Sequence, residues 1–381
     1  MKNKIISLAL IAGLAACSGG NPFDETDTDG GTTGGTNGGT TGGTNGGTTG
    51  GTDGGTTDGT DTSGETDGDG IAVDGIPPGT ESPNAGSTIY RSEARVDSSS
   101  ASGYGSGFAN SVSYNSTDDT FTVNNLAFDG DSPYVRGEDV SSFHEGEDLG
   151  RFSVYEAEEL ANDPISGDAI NQFTYRAIYG TSRNRTGENN ELASTQFAII
   201  RTGNYVRYGF GGFVYQRDDS VILPETLQAK YTGRSAGLRD FNTDGGLQYT
   251  TADVEIIIDS EDFDEGAGVD GTIRNRRVYD LAGNDITSTV ANGISPNLTE
   301  IPVAQFVIGP GVLEDSGDLV GEITSQYRNA EGEIIAYEEG NYYAIVSGDD
   351  ADEIVGIFVL EALDTRDTGG FIVYRGDPVT Q

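Results

Sequence analysis

Two short runs of apolar and aromatic residues lie close together near the C-terminus, at 342–346 and 354–360. Both are rich in Tyr and β-branched residues, and an acidic segment, Ser-Gly-Asp-Asp-Ala-Asp-Glu, separates them. Runs of this length joined by a turn of small and acidic residues are typical of a β-hairpin. The stretch 340–361 therefore predicts two paired strands, and we expect this hairpin to close a β-barrel.

Similar short runs recur along most of the chain, separated by turn residues. Before residue 220 they are 89–96, 108–114, 120–128, 151–155, 173–179, 194–201 and 205–215. After it they are 227–238, 247–259, 269–279, 301–308, 319–327, 334–336, 342–346, 354–361 and 371–374. Because apolar positions alternate and no helical period is sustained, the pattern predicts an all-β protein. Only 154–160 allows a helical turn or two.

The segment Leu223-Pro224-Glu225 separates the two sets of predicted strands. Proline cannot donate a hydrogen bond to a central ladder, so it predicts a domain boundary here. We expect a β handle-like domain at 86–224, followed at 225–381 by an eight-stranded antiparallel up-and-down β-barrel.

The chain begins with a pattern typical of an export signal. Two lysines precede an apolar run at 5–14, which is too short to span a bilayer, and Leu-Ala-Ala-Cys ends at Cys17. This ending resembles the lipobox of bacterial lipoproteins, which implies removal of residues 1–16 and lipid attachment to Cys17. An ordinary cleavage site beside a buried cysteine is the alternative. Ser18 in the next position implies, by the same resemblance, delivery to the outer membrane.

Residues 17–85 are rich in Gly, Thr and Asp, and Gly-Gly-Thr repeats with a period of four from Gly30 to Thr57. Such a segment buries too little apolar surface to offset the entropy of ordering, so it predicts a disordered tether. Its root-mean-square span is roughly 45 Å. A calcium-binding glycine repeat is the alternative, but its nonapeptide pattern is missing.

Charge and cysteine content narrow the function. The formal net charge is −41, from 62 acidic and 21 basic residues, which disfavours nucleic acid and anionic membrane surfaces as partners. A single cysteine excludes an intramolecular disulfide, and one cysteine with one histidine provides too few ligands for a zinc site.

One segment matches the first half of a calcium loop, with oxygen ligands at Asp240, Asn242 and Asp244 followed by Gly245. Thr251 stands where the loop requires its bidentate Glu. A solvated hairpin turn is the favoured interpretation, because turns select the same residue types.

Other candidate chemistry is weak. The glycine-rich segments 103–107 and 209–212 lack the helix that a phosphate loop needs. His144 is the only imidazole, and no Gly-x-Ser-x-Gly elbow accompanies it. We interpret the adjacent acidic residues at 158/159 and 349/350 as parts of solvated turns rather than as the two catalytic carboxylates of a glycosidase. We therefore predict no catalytic residue, metal or cofactor.

Arg274, Arg276 and Arg277 form the one dense basic spot. On a regular strand Arg274 and Arg276 share one face and Arg277 takes the other. We interpret them as an exterior strand face; a patch that attracts an acidic ligand or pairs with the chain's own acidic residues is the alternative. The 18 tyrosines are predicted to fill β cores rather than a haem or sugar platform.

Three ordered motifs resemble the barrels of the transferrin-binding protein B and factor H-binding protein family of surface lipoproteins. The first comprises Gly340, Tyr343, Gly348, Ala351, Glu353, Gly356 and Phe358. The second motif is 229–237, which is similar to the opening strand of these barrels with its Tyr-x-Gly pattern. The third is 252–259 together with 269–273, which is similar to a strand pair of these barrels whose second strand reads Val-x-Gly-x-Ile. The resemblance covers about 227–375.

The resemblance implies an outer-membrane lipoprotein displayed on the cell surface through a dedicated translocator, holding a protein or small-molecule ligand without catalysis. The chain has room for one handle-plus-barrel lobe where the transferrin receptor has two, so transferrin capture is not implied. A periplasm-facing accessory subunit of an outer-membrane transporter is the alternative, and a glycosidase-like enzyme ranks third.

Overall fold

The computed structural model describes residues 84–93, 108–109, 111–124, 126, 133–144, 151–157, 165–167, 175–202, 210–218, 220–224, 226–242, 245–259, 268–308 and 312–376. The predicted signal segment, Cys17 and almost all of the predicted tether lie outside these residues. The described part of the chain forms nineteen strands and one helix, so the predicted all-β class is confirmed.

The N-terminal strands build one antiparallel sheet, here called the handle sheet, in the order β1-β11-β10-β7-β6-β4-β3-β2, with β5 beside β6. Its strands are β1 Ile89–Ser92, β2 Ser111–Asn115, β3 Thr120–Asn124, β4 Tyr134–Arg136, β5 Ser142–Phe143, β6 Arg151–Glu156, β7 Arg176–Thr181, β10 Thr195–Arg201 and β11 Gly211–Arg217. A separate hairpin is formed by β8 Arg185–Thr186 and β9 Leu192–Ala193. Each of the seven predicted segments contains a strand. The four strands that were not predicted, β4, β5, β8 and β9, are too short to show alternation.

The C-terminal strands form a closed eight-stranded barrel, as predicted. They are β12 Gln228–Phe241, β13 Leu247–Asp259, β14 Gly268–Tyr279, β15 Ala304–Phe306, β16 Asp318–Arg328, β17 Ile334–Ser347, β18 Glu353–Glu361 and β19 Thr365–Arg375. Each strand pairs with the next in sequence, and β12 pairs with β19 to complete the ring. The domain boundary at 224/225 stays a prediction.

The predicted hairpin at 340–361 is confirmed as β17 and β18, which pair from Glu339 opposite Glu361 to Ser347 opposite Glu353. Its turn contains two residues in the left-handed region, Gly348 at φ 99° and Ala351 at φ 51°. Its predicted closing role is wrong. The ring is closed by β12 and β19, so this hairpin is the penultimate pair.

Two further predictions need correction. The segments 334–336 and 342–346 belong to the single strand β17, because the residues between them continue the ladder with β16. A helical turn at 154–160 is wrong as far as that segment is described, because Glu156 ends strand β6 and the strand pairs with β7. Phe152 and Val154 point to one side and Tyr155 to the other, which is a period of two.

The helix α1, Thr287–Ile294, was not predicted. Its sequence, Thr-Ser-Thr-Val-Ala-Asn-Gly-Ile, has low helix propensity, so packing rather than propensity stabilises it. Ala291 is buried against Val278 and Ile301. No helix in the described ranges is long and apolar enough to cross a membrane.

Cross-strand pairs of glycine and aromatic residues explain the glycines of the hairpin motif. Gly356 lies opposite Phe371, and Phe358 lies opposite Gly369, on neighbouring strands. A Cβ built on Gly369 would lie 2.1 Å from the Phe358 ring, and one on Gly356 would lie 2.4 Å from the Phe371 ring. Each ring therefore covers the backbone of a glycine, an arrangement that lets a small barrel curve without leaving its interior empty.

The handle sheet packs against the outside of the barrel along β12, β17, β18 and β19, and we call this contact the seam. Along β18, Ile354 and Phe358 point into the barrel, whereas Val355 and Ile357 point into the seam. This strand is buried on both faces, which is why it reads as a nearly continuous apolar run. At the centre of the seam lies Phe197 from β10, which is fully buried.

Candidate ligand-binding site

An open cleft lies at one end of the seam, between the handle sheet and strands β16 to β18, with a volume of about 660 Å³. We call it the acidic cleft. The handle side contributes Glu93 and Phe213, and the barrel side contributes Glu322, Glu339, Tyr343, Glu361 and Arg366. Its volume lies within the range of sites that bind small molecules or a few side chains of a protein.

Strand alternation places three glutamates of the barrel on its outer face. Glu322 precedes the interior residue Ile323, and Glu361 follows the interior residue Leu360. Glu339 lies directly opposite Glu361 in the ladder between β17 and β18. Like charges in such a pair destabilise a sheet. A local conflict of this kind is expected where function rather than stability selects the residues.

Beneath the cleft, two buried arginines and two buried acids join the handle sheet to the barrel. Arg201 Nη1 lies 2.9 Å from Glu93 Oε2, and its Nη2 donates to Thr368 Oγ1 at 3.0 Å. Arg366 Nη2 donates to Asp240 Oδ2 at 3.4 Å, and its Nη1 lies 3.8 Å from Glu93 Oε1. Arg201 Nε also lies 3.7 Å from Asp240 Oδ2. The formal charges of these four groups balance, which leaves the barrel glutamates to set the charge of the cleft.

Burial changes the ionisation of groups around the cleft. It raises the pKa of Asp240 above its ordinary value, against the opposite effect of Arg366 and Arg201. It likewise raises the pKa of Glu361, and Arg366 opposes that shift. Burial raises the pKa of Tyr343 to about 12, so this phenol is neutral at pH 7.

Two aromatic rings form the apolar wall of the cleft. Phe213 of the handle sheet and Tyr343 of the barrel lie with ring centroids 6.1 Å apart and an interplanar angle of 27°. Aromatic faces attract cations, and so do carboxylates. The arrangement therefore suits a ligand that carries a positive group on an apolar stem.

For the segment that begins at Asp240, a solvated turn was the favoured interpretation and a calcium loop the weaker one, and neither describes Asp240. Asp240 is fully buried within β12 and bound to arginine, so it neither faces a loop nor lies in a solvated turn. Asp244 lies outside the described residues. Across the described ranges, no group of three or more His, Cys, Asp or Glu is arranged to hold a metal ion.

The predicted arginine pattern is wrong. The register between β13 and β14 shifts between Thr251 and Asp253, and Asn275 adopts φ 53°, so alternation breaks at this bulge. Arg274 and Arg277 are exposed, whereas Arg276 is buried.

Inside the barrel Arg276 pairs with two carboxylates. Its Nη1 and Nη2 donate to Glu338 at 2.5 and 2.9 Å, and its Nη2 also donates to Asp367 at 3.2 Å. Nη1 further donates to the carbonyl of Pro302 at 3.0 Å. The arginine is therefore a structural element of the barrel interior rather than part of an exposed patch.

The remaining candidates lie apart from the cleft. His144 sits in the seam, with Nε2 3.1 Å from the carbonyl oxygen of Ser235 and its ring against Phe152. Asp349 and Asp350 are exposed in the hairpin turn. The segments 103–107 and 158–159 lie outside the described residues.

Sequence reasoning missed the glutamates that form the cleft. Glu322 and Glu361 lie in predicted strands, but Glu339 falls between the predicted segments 334–336 and 342–346. Its opposition to Glu361 depends on register, and the position of Glu93 depends on how the handle sheet packs. The signal that was available is an acidic residue at an outward-facing position of two predicted strands, Glu322 in 319–327 and Glu361 in 354–361. In a chain with 62 acidic residues this signal does not stand out.

No family model matches the sequence, and no curated protein matches it. Among solved structures the chain is similar to a transferrin-binding protein B from Haemophilus parasuis Hp5, with 11% identity and a TM-score of 0.30, over 67% of this chain and 43% of that one. It is also similar to an isotype 1 transferrin-binding protein B from serogroup B Neisseria meningitidis, with 13% identity and a TM-score of 0.30, over 77% and 57%. A structure described as a surface lipoprotein shows 13% identity and a TM-score of 0.25, over 50% and 79%.

The chain thus spans about half the length of these two transferrin-binding proteins. The resemblance expected from the motifs is confirmed as a likeness to structures of this group. At such identities and TM-scores it says nothing about ligand, and the architecture rests on the strand pairing of this chain.

Proposed function

We propose that this protein is a lipid-anchored lipoprotein of the outer membrane, displayed on the cell surface, whose handle-plus-barrel lobe captures a ligand without catalysis. The observation that carries the proposal is the acidic cleft, an open volume of about 660 Å³ lined by four glutamates and two aromatic rings. The lipid on Cys17 holds the chain at the membrane, and residues 18–85 let the lobe reach beyond the lipid surface.

The chemistry of the cleft favours a cationic ligand, either a small amine or a basic side chain of a protein. A unit positive charge about 4 Å from one carboxylate gains roughly 1 kcal/mol at the dielectric constant of water and roughly 4 kcal/mol at an effective value near 20. Glu322 and Glu339 are exposed, so each gives a value between these limits. Tyr343 is partly exposed and adds a surface for the apolar stem of the ligand, and the buried ring of Phe213 packs against it.

A capture experiment tests this proposal. The purified full chain is used to retain binding partners from culture medium or host fluid, alongside a Glu322→Gln/Glu339→Gln variant. The matched control is Glu331→Gln/Glu333→Gln, which removes the same charge from an exposed turn outside the cleft. We expect the cleft variant to bind the captured partner at least 10-fold more weakly at low salt, and the control to bind normally. Equal binding by both variants would remove the cleft from the proposal.

Protease treatment of intact cells tests the location separately. A surface lobe on a long tether is cleaved while the outer membrane remains intact. Survival of the lobe under those conditions would favour the periplasm-facing accessory subunit instead, and co-purification with an outer-membrane transporter would support that alternative.

A further inference from the structure

A second cleft lies at the opposite end of the seam, with a volume of about 470 Å³. We call it the polar cleft. It is separated from the acidic cleft by the length of β18, from Glu353 to Glu361, which is roughly 26 Å for a strand of this length. The two sites therefore share no lining residue and can be tested separately.

The two walls of the polar cleft carry opposite charges. The handle side contributes Arg183 and Arg185, and the turn between β17 and β18 contributes Asp349 and Asp352. All four side chains belong to exposed residues, so a ligand reaches them from solvent. A third arginine, Arg375, also lines the cleft, and its Nη1 lies 3.0 Å from Asp350 Oδ1, which offsets its charge.

The basic wall is held in place by the barrel. The Arg183 guanidinium lies over the Tyr374 ring, with Cζ 4.0 Å from the ring centroid. The backbone N–H of Arg183 donates to the Tyr374 hydroxyl at 3.0 Å. A cation fixed in this way loses little freedom when it binds a carboxylate, which favours affinity.

The floor is held by the buried carboxylate of Glu353, which accepts hydrogen bonds from three handle side chains. The Ser182 hydroxyl donates to Oε2 at 2.5 Å, the Asn184 amide donates to Oε2 at 2.8 Å, and the Ser194 hydroxyl donates to Oε1. With these donors Glu353 ties the handle sheet to the barrel. The charge that faces a ligand from the barrel side is therefore that of the two exposed aspartates.

One polar group in this cleft lacks a partner. Ser347 is fully buried and lines the cavity, and no hydrogen-bond partner for its hydroxyl exists among the residues that the structure describes. Leaving a buried hydroxyl unpaired destabilises the fold, so most such groups are paired. A bound ligand that exchanges a hydrogen bond with Ser347 removes this cost.

We propose that the polar cleft binds a zwitterionic ligand the size of a dipeptide or tripeptide, with its carboxylate toward Arg183 and Arg185 and its ammonium group toward Asp349 and Asp352. The volume corresponds to a space about 10 Å across, and the termini of an extended peptide of two or three residues are roughly 7–10 Å apart. A purely anionic ligand fits less well, because the aspartates oppose it and the chain carries a net charge of −41.

Calorimetric titration of the purified full chain with L-alanyl-L-alanine tests the proposal. The same peptide with an acetylated N-terminus lacks the ammonium group, and the peptide with an amidated C-terminus lacks the carboxylate. We expect each blocked peptide to bind at least 10-fold more weakly than the free one. Equal affinity for the free and blocked peptides, or no heat of binding for any of them at millimolar concentration, would overturn the proposal.

Variants assign the binding to the residues. Asp349→Asn is expected to weaken binding of the free peptide about 10-fold and to leave the affinity of the acetylated peptide unchanged. Arg185→Gln is expected to weaken binding of the free peptide about 10-fold and to leave the affinity of the amidated peptide unchanged. Arg328→Gln, at an exposed arginine that ends strand β16 and lies outside the cleft, serves as the control and is expected to bind the free peptide with the affinity of the unmodified chain.

Ser347→Ala gives an independent check. It is expected to weaken binding of the free peptide while the melting temperature of the unliganded chain stays the same or rises, because the substitution removes an unpaired buried hydroxyl. Unchanged peptide affinity in this variant would contradict the assignment of Ser347 to the site.

Discussion

Phe197 is the residue whose truncation tests the seam most sharply. Its ring is fully buried and lies between two glycines, Gly180 of the handle sheet and Gly370 of the barrel. A Cβ built on Gly180 would lie 2.2 Å from the ring, and one built on Gly370 would lie 2.1 Å from it. The ring thus fills space that no neighbouring side chain occupies.

Phe197→Ala is expected to lower the free energy of unfolding by about 4 kcal/mol. Loss of a buried Phe side chain costs roughly 3–5 kcal/mol, and the cost is greater where neighbours cannot collapse into the cavity. The two glycines have no side chains to move, so a value in the upper part of that range is expected. For a folded region of this size the corresponding fall in melting temperature is roughly 10 °C.

Guanidinium unfolding followed by circular dichroism and tyrosine fluorescence measures this change, since the chain contains 18 Tyr and no Trp. Leu363→Ala, in a side chain that is 97% exposed, is the control and is expected to change stability by less than about 0.5 kcal/mol. A loss below about 1 kcal/mol for Phe197→Ala would refute the packing of the handle sheet on the barrel.

Three further substitutions test other parts of the account. Phe358→Asp places a charge inside the barrel and is expected to prevent folding, so a variant with the circular dichroism and melting temperature of the unmodified chain would contradict the interior assignment. Arg276→Ala leaves two buried carboxylates unpaired and is expected to cost about 3–5 kcal/mol in denaturant unfolding, whereas Arg274→Ala on the same strand is expected to cost less than about 0.5 kcal/mol. Similar losses in the free energy of unfolding for Arg276→Ala and Arg274→Ala would contradict the bulge that places Arg276 inside the barrel and Arg274 outside it. Burial raises the pKa of Glu353 above its ordinary value of 4.5. Above that pH the folded chain therefore binds more protons than the unfolded chain, so this carboxyl lowers the free energy of unfolding as the pH rises. Glu353→Gln is therefore expected to show a smaller fall in the free energy of unfolding from pH 4.5 upward, and an unchanged slope would contradict it.

Alternation of apolar and polar residues was sufficient to predict most of the strands. β13 was predicted with its observed bounds because its interior residues, such as Val254, Ile256 and Ile258, occupy every second position. The hairpin of β17 and β18 was predicted instead from two nearly continuous apolar runs and the acidic turn between them. A closed barrel was predicted, but its closing pair was assigned to the wrong strands, because pairing between the first and last strands of a barrel leaves no local signal.

Features that depend on register or on distant packing were not predictable. A single bulge at Asn275 changed the faces expected for the arginines, although the segment 269–279 had been predicted as a strand and lies within β14. The helix α1 has a sequence of low helix propensity and forms because Ala291 packs on the barrel. The acidic cleft requires Glu339 to lie opposite Glu361 and the handle sheet to bring Glu93 beside them, and neither relation is written in the local pattern.

The central claim, that this lobe captures a cationic ligand at the cell surface through the acidic cleft, is tested most directly on intact cells. Cells that produce the unmodified chain, the Glu322→Gln/Glu339→Gln variant or the Glu331→Gln/Glu333→Gln control are incubated with the captured partner, and the bound fraction is measured at equal protein levels. At least 10-fold weaker binding is expected for the cleft variant alone, and loss of binding is expected for all three after protease treatment. Equal binding by the cleft variant and the control, or binding that survives the protease, would contradict this claim.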